Sequence, residues 1–161
     1  MGGINYITSE VNAMRWIDPT FAHVEYIADN LREQDRLEVF YSHGVTGWES
    51  VISSWNYSEI RHGIEGDNGK PVALCGVNNS IIWLLGTDEL FTTNSHRRQF
   101  IRGGKIWINE LLTGGEQMLH NWALSSNVSS LRWLKHLGFE IDPPQPMGKS
   151  CQLFNHFWRK A

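Results

Sequence analysis

Residues 127–139 read Asn127-Val-Ser-Ser-Leu131-Arg-Trp133-Leu134-Lys-His-Leu137-Gly138-Phe139. Leu131, Leu134 and Leu137 recur at helical spacing and form one apolar stripe. Ser126 or Asn127 caps the start, because a short side-chain oxygen can take an otherwise unbonded N–H of the first turn. Gly138 suits the left-handed position that ends a helix, and Phe139 returns the chain to an apolar element. Met118 to Leu124 before it and Phe139 to Ile141 after it have strand length. This stretch therefore predicts a short helix between two strands.

Reading outward, Gly114-Gly115 ends a long helix running from a Ser95 cap to about Leu112, weakened in its middle by Gly103-Gly104. Before it lie three strand-like runs: Ile60 to Glu65, Pro71 to Val77 and Ser80 to Leu85. Gly66-Asp67-Asn68-Gly69 and Asn78-Asn79 separate them as turns, which predicts an antiparallel meander. Further back, Thr46 and Glu49 make a capping box for a helix carrying Val51, Ile52 and Trp55. Arg32 to Tyr41 reads as an amphipathic helix stopped by Gly44. Asp18-Pro19 reads as cap and first residue of a helix through Leu31. Residues 3–9 alternate as a first strand. Gln152 to Trp158 is the last, beyond an exposed Pro143–Pro146 loop that is a contact element. The order is β-α-α-β-β-β-α-β-α-β-β, an α+β layout with a mixed, mainly antiparallel sheet flanked by helices.

The chain has 161 residues, 41% hydrophobic and 19% charged, which suits one domain over residues 1–161 rather than disorder. A net charge of −3 gives no overall basic balance for nucleic acid. No apolar run reaches the roughly 18 residues of a membrane span. The opening Met1 to Glu10 lacks the basic and apolar regions of a secretion signal, and Tyr6 breaks a myristoylation pattern. Cys75 and Cys151 both read as reduced, buried thiols. Eight tryptophans give weight to binding, and Trp16 and Trp158, near the chain ends where a small domain has least depth to bury them, are the candidate partner contacts. The histidines show no metal-ligand spacing, and no Gly-x-Ser-x-Gly marks a hydrolase nucleophile.

The element order, with Asn127 opening and Leu137-Gly138-Phe139 closing the decisive helix, resembles the GNAT acetyltransferase fold. A narrower resemblance spans about residues 25–158. Asn30 to Arg36, Gly69 to Ala73, Trp83 to Thr87, Arg97 to Phe100 and Arg132 to Leu134 are similar to a family of small, GNAT-like phage proteins. Those proteins are encoded among the head and internal virion genes of short-tailed phages.

The GNAT resemblance implies acetyl-CoA or CoA as cofactor, held by a glycine-containing turn after the fourth strand, and a Tyr acid near the end of the 127–139 motif. Here Gly86 to Gln99 lacks that glycine pattern, and Leu134 stands at the Tyr position. Asp88 and Glu89 are the candidate bases, acting through a water. Ser95, Arg97, Arg98 and Asn127 are the candidate cofactor-binding residues. With both devices altered, the resemblance implies a phage virion-associated or head-morphogenesis protein without acetyl transfer, partnered by other phage structural proteins in the virion or host cytoplasm. The alternative is an acetyl-CoA-dependent N-acyltransferase acting on a host protein or small amine. A third class, nucleic-acid binding through Arg97, Arg98, Arg102 and Lys105, runs against the net charge.

Overall fold

The computed structural model describes residues 14–161. The strand expected over residues 3–9 lies outside them. The first described strand is β1, Arg15–Ile17. Helices α1 (Phe21–Asp29), α2 (Glu33–His43) and α3 (Gly47–Tyr57) follow. Strands β2 (Ile60–Glu65), β3 (Pro71–Asn78) and β4 (Ile81–Gly86) come next, then a 3-10 turn at Asp88–Phe91 and helix α4 (Asn94–Thr113). The chain ends with β5 (Met118–Leu124), α5 (Val128–His136), β6 (Glu140–Ile141), β7 (Gln145–Met147) and β8 (Gln152–Lys160).

The strands form one sheet in the order β1-β2-β3-β4-β5-β8-β6, with β7 also paired to β8. Every neighbouring pair is antiparallel except β4 and β5, which are parallel and share the single register pair Ile81–His120. Those two strands therefore meet at their starts and part toward Gly86 and Leu124. Strand alternation loads both faces of β3. Cys75 and Val77 pack with Trp107 and Ile108 of α4 and Leu134 of α5. Leu74 packs with Val24 and Ile27 of α1 and Val51 of α3. So α1 and α3 cover one face, and α4 and α5 the other.

The α+β layout holds, with corrections at the joints. Helix α1 starts at Phe21, not Pro19. Thr20 is its cap, in a reciprocal box with His23. Buried Pro19 instead lies against Gly63 of β2, where a Cβ would sit 3.1 Å from its ring. Helix α4 is capped by Thr93, whose hydroxyl accepts from the His96 N–H, while Ser95 accepts from Gln99 inside the first turn. Gly103 and Gly104 do not interrupt that helix. A Cβ on Gly103 would stand 2.7 Å from the Trp16 Nε1, so the glycine makes room for an indole. The Pro loop is exposed but includes β7, an edge strand of the kind that tolerates Pro146. Cys75 is buried, with its thiol pushed far up by burial, whereas Cys151 is exposed in the β7–β8 turn at φ 50°. The second thiol is thus not a core residue. No helix among the described residues is long and apolar enough to cross a membrane.

Candidate active site at the strand seam

The parting of β4 and β5 leaves inward-turned backbone groups that no neighbouring strand satisfies. Helix α2 supplies their partners. The Arg32 N–H, just before the helix, donates to the Gly86 carbonyl at 2.9 Å. The Asp35 carboxylate accepts from the Gly86 N–H at 2.9 Å. Glu38, one turn further along, accepts from the Leu124 N–H on the opposite strand. One helix thus pins both banks of the seam.

These groups are charged and enclosed. Arg32 and Asp35 pair at 2.8 Å with side chains only 9% and 3% exposed. The guanidinium also donates to the Ser130 hydroxyl of α5 and lies 4.9 Å from the Phe91 ring centroid. Burial raises the Asp35 pKa, opposed by Arg32. Burial, then the charge of Asp35, pushes Glu38 up to about 8. A carboxyl group that titrates near neutral pH inside a cleft is suited to exchanging a proton with a reacting amine.

A cavity of about 560 Å³ runs through the seam. Ser54 and Tyr57 of α3 border it from one face, Trp107 and Trp133 from the other, and Arg32, Asp35 and Glu38 lie along it. Buried side-chain atoms without a partner among the described residues are Arg32 Nε, Thr87 Oγ1, Asn127 Nδ2 and the indole Nε1 of Trp107 and Trp133. Thr87 follows Gly86, and Asn127 lies three residues beyond Leu124. Arg32, Trp107 and Trp133 are among the residues that line the cavity. A native fold leaves few such groups, and a cluster of them points to an absent ligand.

The sequence-derived residues distribute unevenly. Asn127 stands at the start of α5, but its side chain makes no capping bond to a backbone N–H. It is 1% exposed, and its carbonyl accepts from the Leu131 N–H instead. Gly138 ends the helix at φ 88°, and Phe139 enters the core. Asp88 and Glu89 lie in the 3-10 turn beyond β4, and Arg97 and Arg98 are exposed in the first turn of α4. Arg97 donates to the Asn94 side chain and Arg98 to its carbonyl. Leu134 is core. Trp16 is wedged against Trp107 and His62, with ring centroids at 5.6 and 6.0 Å. The Trp158 Nε1 donates to Asp142, and Lys160 lies over its ring.

Two groupings escaped the sequence reading. Arg32, Asp35 and Glu38 recur at i, i+3, i+6, which was the visible trace of a charged stripe facing inward. His120 and His156, 36 residues apart, stand 3.3 Å apart across β5 and β8. His156 also meets Asp142 at 3.0 Å. Trp158 and His156 hold Asp142 below its usual range, and burial followed by His156 lowers His120. No group of three or more His, Cys, Asp or Glu side chains able to hold a metal occurs among the described residues.

With its splayed parallel pair and its helices on both faces, the chain has the GNAT acetyltransferase fold. It is similar to a spermidine N-acetyltransferase from Vibrio cholerae solved with CoA and spermine, at 10% identity and TM-score 0.65, over 91% of this chain and 95% of that one. It is similar to a ribosomal-protein-alanine acetyltransferase from Vibrio fischeri at 12% identity and TM-score 0.62, over 96% and 95%. A ribosomal-protein α-N-acetyltransferase bound to coenzyme A matches at 12% identity and TM-score 0.62, over 92% and 94%. No protein-family model matches the chain, and no curated protein is similar to it in sequence.

Proposed function

We propose that this protein transfers an acyl group from a pantetheine thioester to an amine, within the seam between β4 and β5. The observation that carries the reading is the cavity through the sheet with the Glu38 carboxyl group on its wall. An acyl-CoA, when bound, would supply the thioester carbonyl. Arg32 Nε and the indole Nε1 of Trp107 and Trp133 are unpaired donors on side chains lining the cavity its extended amide arm would enter. The diphosphate end fits less well. Thr93 caps the His96 N–H at the amino end of α4, and the approaching turn carries Asp88 and Glu89.

The acceptor enters from the α3 side, past Ser54 and Tyr57. In its ionised form, whose share grows as pH approaches 8, Glu38 takes a proton from the amine as its nitrogen bonds to the carbonyl carbon. The C–S bond then breaks, and the proton passes to the departing sulfur. No phenol is needed for that last step, because a carboxyl group titrating near 8 can return the proton itself. Glu38 thereby replaces Asp88 and Glu89 as the preferred base.

Calorimetry with acetyl-CoA and with free pantetheine tests the reading. Both should bind, pantetheine within about tenfold of acetyl-CoA, a gap of about 1.4 kcal/mol. Absence of heat from either at millimolar ligand would remove the reading. Glu38→Gln should leave the arm affinity unchanged and cut turnover by about 10²–10⁴.

A second reading, a virion-associated assembly protein without transfer activity, is favoured by Leu134 at the expected Tyr position and by the Gly86 edge already held by α2. Its presence in purified phage particles, together with no arm binding, would select it.

A further inference from the structure

The helices divide the charge of the molecule. On α4 and α5 lie Arg97, Arg98, Arg102, Lys105, Arg132 and Lys135, all exposed, against one acid, Glu110. None of the six takes part in an ion pair among the described residues. On α1 to α3 the balance reverses, with Glu25, Asp29, Glu33, Asp35, Glu38 and Glu49 against Arg36. A chain of net charge −3 thus presents one strongly cationic face. Arg98, Arg102 and Lys105 stand at i, i+4, i+7, a stripe of about 10 Å along one side of α4.

We propose that the acyl donor arrives on an acidic carrier protein, which docks on α4 and α5 and passes its phosphopantetheine arm into the seam. This rests on the acyl-transfer reading and names its donor. Three observations agree. The seam has unpaired donors for an amide arm. The turn before α4 carries Asp88 and Glu89 and Thr93 already caps the His96 N–H, so a nucleotide diphosphate is poorly matched there and the donor's anionic anchor is better held elsewhere. The cations that could hold it spread over two helices, the footprint of a protein rather than of two phosphates. Exposed Ile106 and Val128 lie among them as apolar contacts. An exposed aromatic ring, on which single-stranded nucleic acid would stack its bases, is absent from both helices. In the reaction the new C–N bond forms, the C–S bond then breaks, and the thiol remains on the carrier's arm with the proton lost by the amine.

The test is titration of the intact chain, by calorimetry, with a purified bacterial type II acyl carrier protein with and without its arm. Acetyl-CoA, pantetheine and a 20-nucleotide single-stranded DNA are titrated alongside. The arm-bearing carrier should bind about tenfold tighter than the armless form, and affinity should fall as salt rises. The combined variant Arg98→Glu, Arg102→Glu, Lys105→Glu should lose at least about tenfold toward the carrier and leave pantetheine binding unchanged, which also certifies its fold. A carrier with two surface acids changed to Lys should recover binding to that variant. If pantetheine and acetyl-CoA bind and the carrier does not, the proposal falls and the acyl-transfer reading stands. If nothing binds, both fall. If the DNA binds more tightly than the carrier, the face serves nucleic acid and the proposal falls.

Discussion

Glu38 keeps its proton to about pH 8 in the folded chain, against an ordinary value of 4.5. Between those values the native state holds one proton more than the unfolded state, so stability falls as pH rises through that window. The loss between pH 5 and pH 8.5 is on the order of 4 kcal/mol. Glu38→Gln carries no such proton. In urea denaturation at pH 5 and pH 8.5, wild type should lose stability relative to the variant by that amount. Equal pH slopes would place Glu38 in water and remove it as a base. None of this was visible locally. The partner of Asp35 is 51 residues away and that of Glu38 is 86 away. In a one-dimensional pattern the stripe therefore looks like an ordinary solvated helix face. Cys151 misled in the opposite sense. Its apolar neighbours suggested burial, but the turn that joins β7 to β8 places it outside.

At the scale of elements, the periodic signals were legible and the joints were not. Thr46 and Glu49 form the capping box that their spacing implied, and Gly44 takes the left-handed position at φ 68°. Asp18-Pro19 and Ser95 failed as caps because Thr20 and Thr93 compete one or two residues away. Which hydroxyl wins depends on where Pro19 and His96 must pack. Gly103 is the sharpest case, since propensity makes it a weak point and packing makes it a requirement. Gly103→Ala would gain about 1 kcal/mol of helix propensity. It would also press a methyl group into a rigid indole at 2.7 Å, costing about 1–3 kcal/mol. The net expectation is destabilisation, read as a lower urea midpoint with unchanged slope. In the double variant with Trp16→Phe, which removes the offending nitrogen edge, Ala should recover most of that loss. A stabilised single variant would mean that Trp16 does not press on α4.

At the scale of the molecule, the sheet is two halves, β1 to β4 and β5 to β8, joined by one parallel register pair and by α2. The element order implied this arrangement, but the staple across it could only be seen in three dimensions. Asp35→Ala removes the acceptor for the Gly86 N–H and leaves Arg32 buried without its carboxylate, at a cost of about 3–5 kcal/mol. Replacing both charges, Arg32→Met with Asp35→Leu, removes the buried ion pair as a unit and should cost far less, within about 2 kcal/mol of wild type. Native-state hydrogen exchange separates a seam that opens from a protein that merely weakens. In Asp35→Ala the Gly86 and Leu124 amides should exchange about a hundredfold faster, beyond any change at Leu74 in the middle of β3. The cavity has lining from both faces, so opening at the seam would widen the passage that an acyl donor and an amine must share. Uniform acceleration across the sheet would instead mean that the halves rise and fall as one cooperative unit. In that case α2 contributes global stability, and the seam does not open independently.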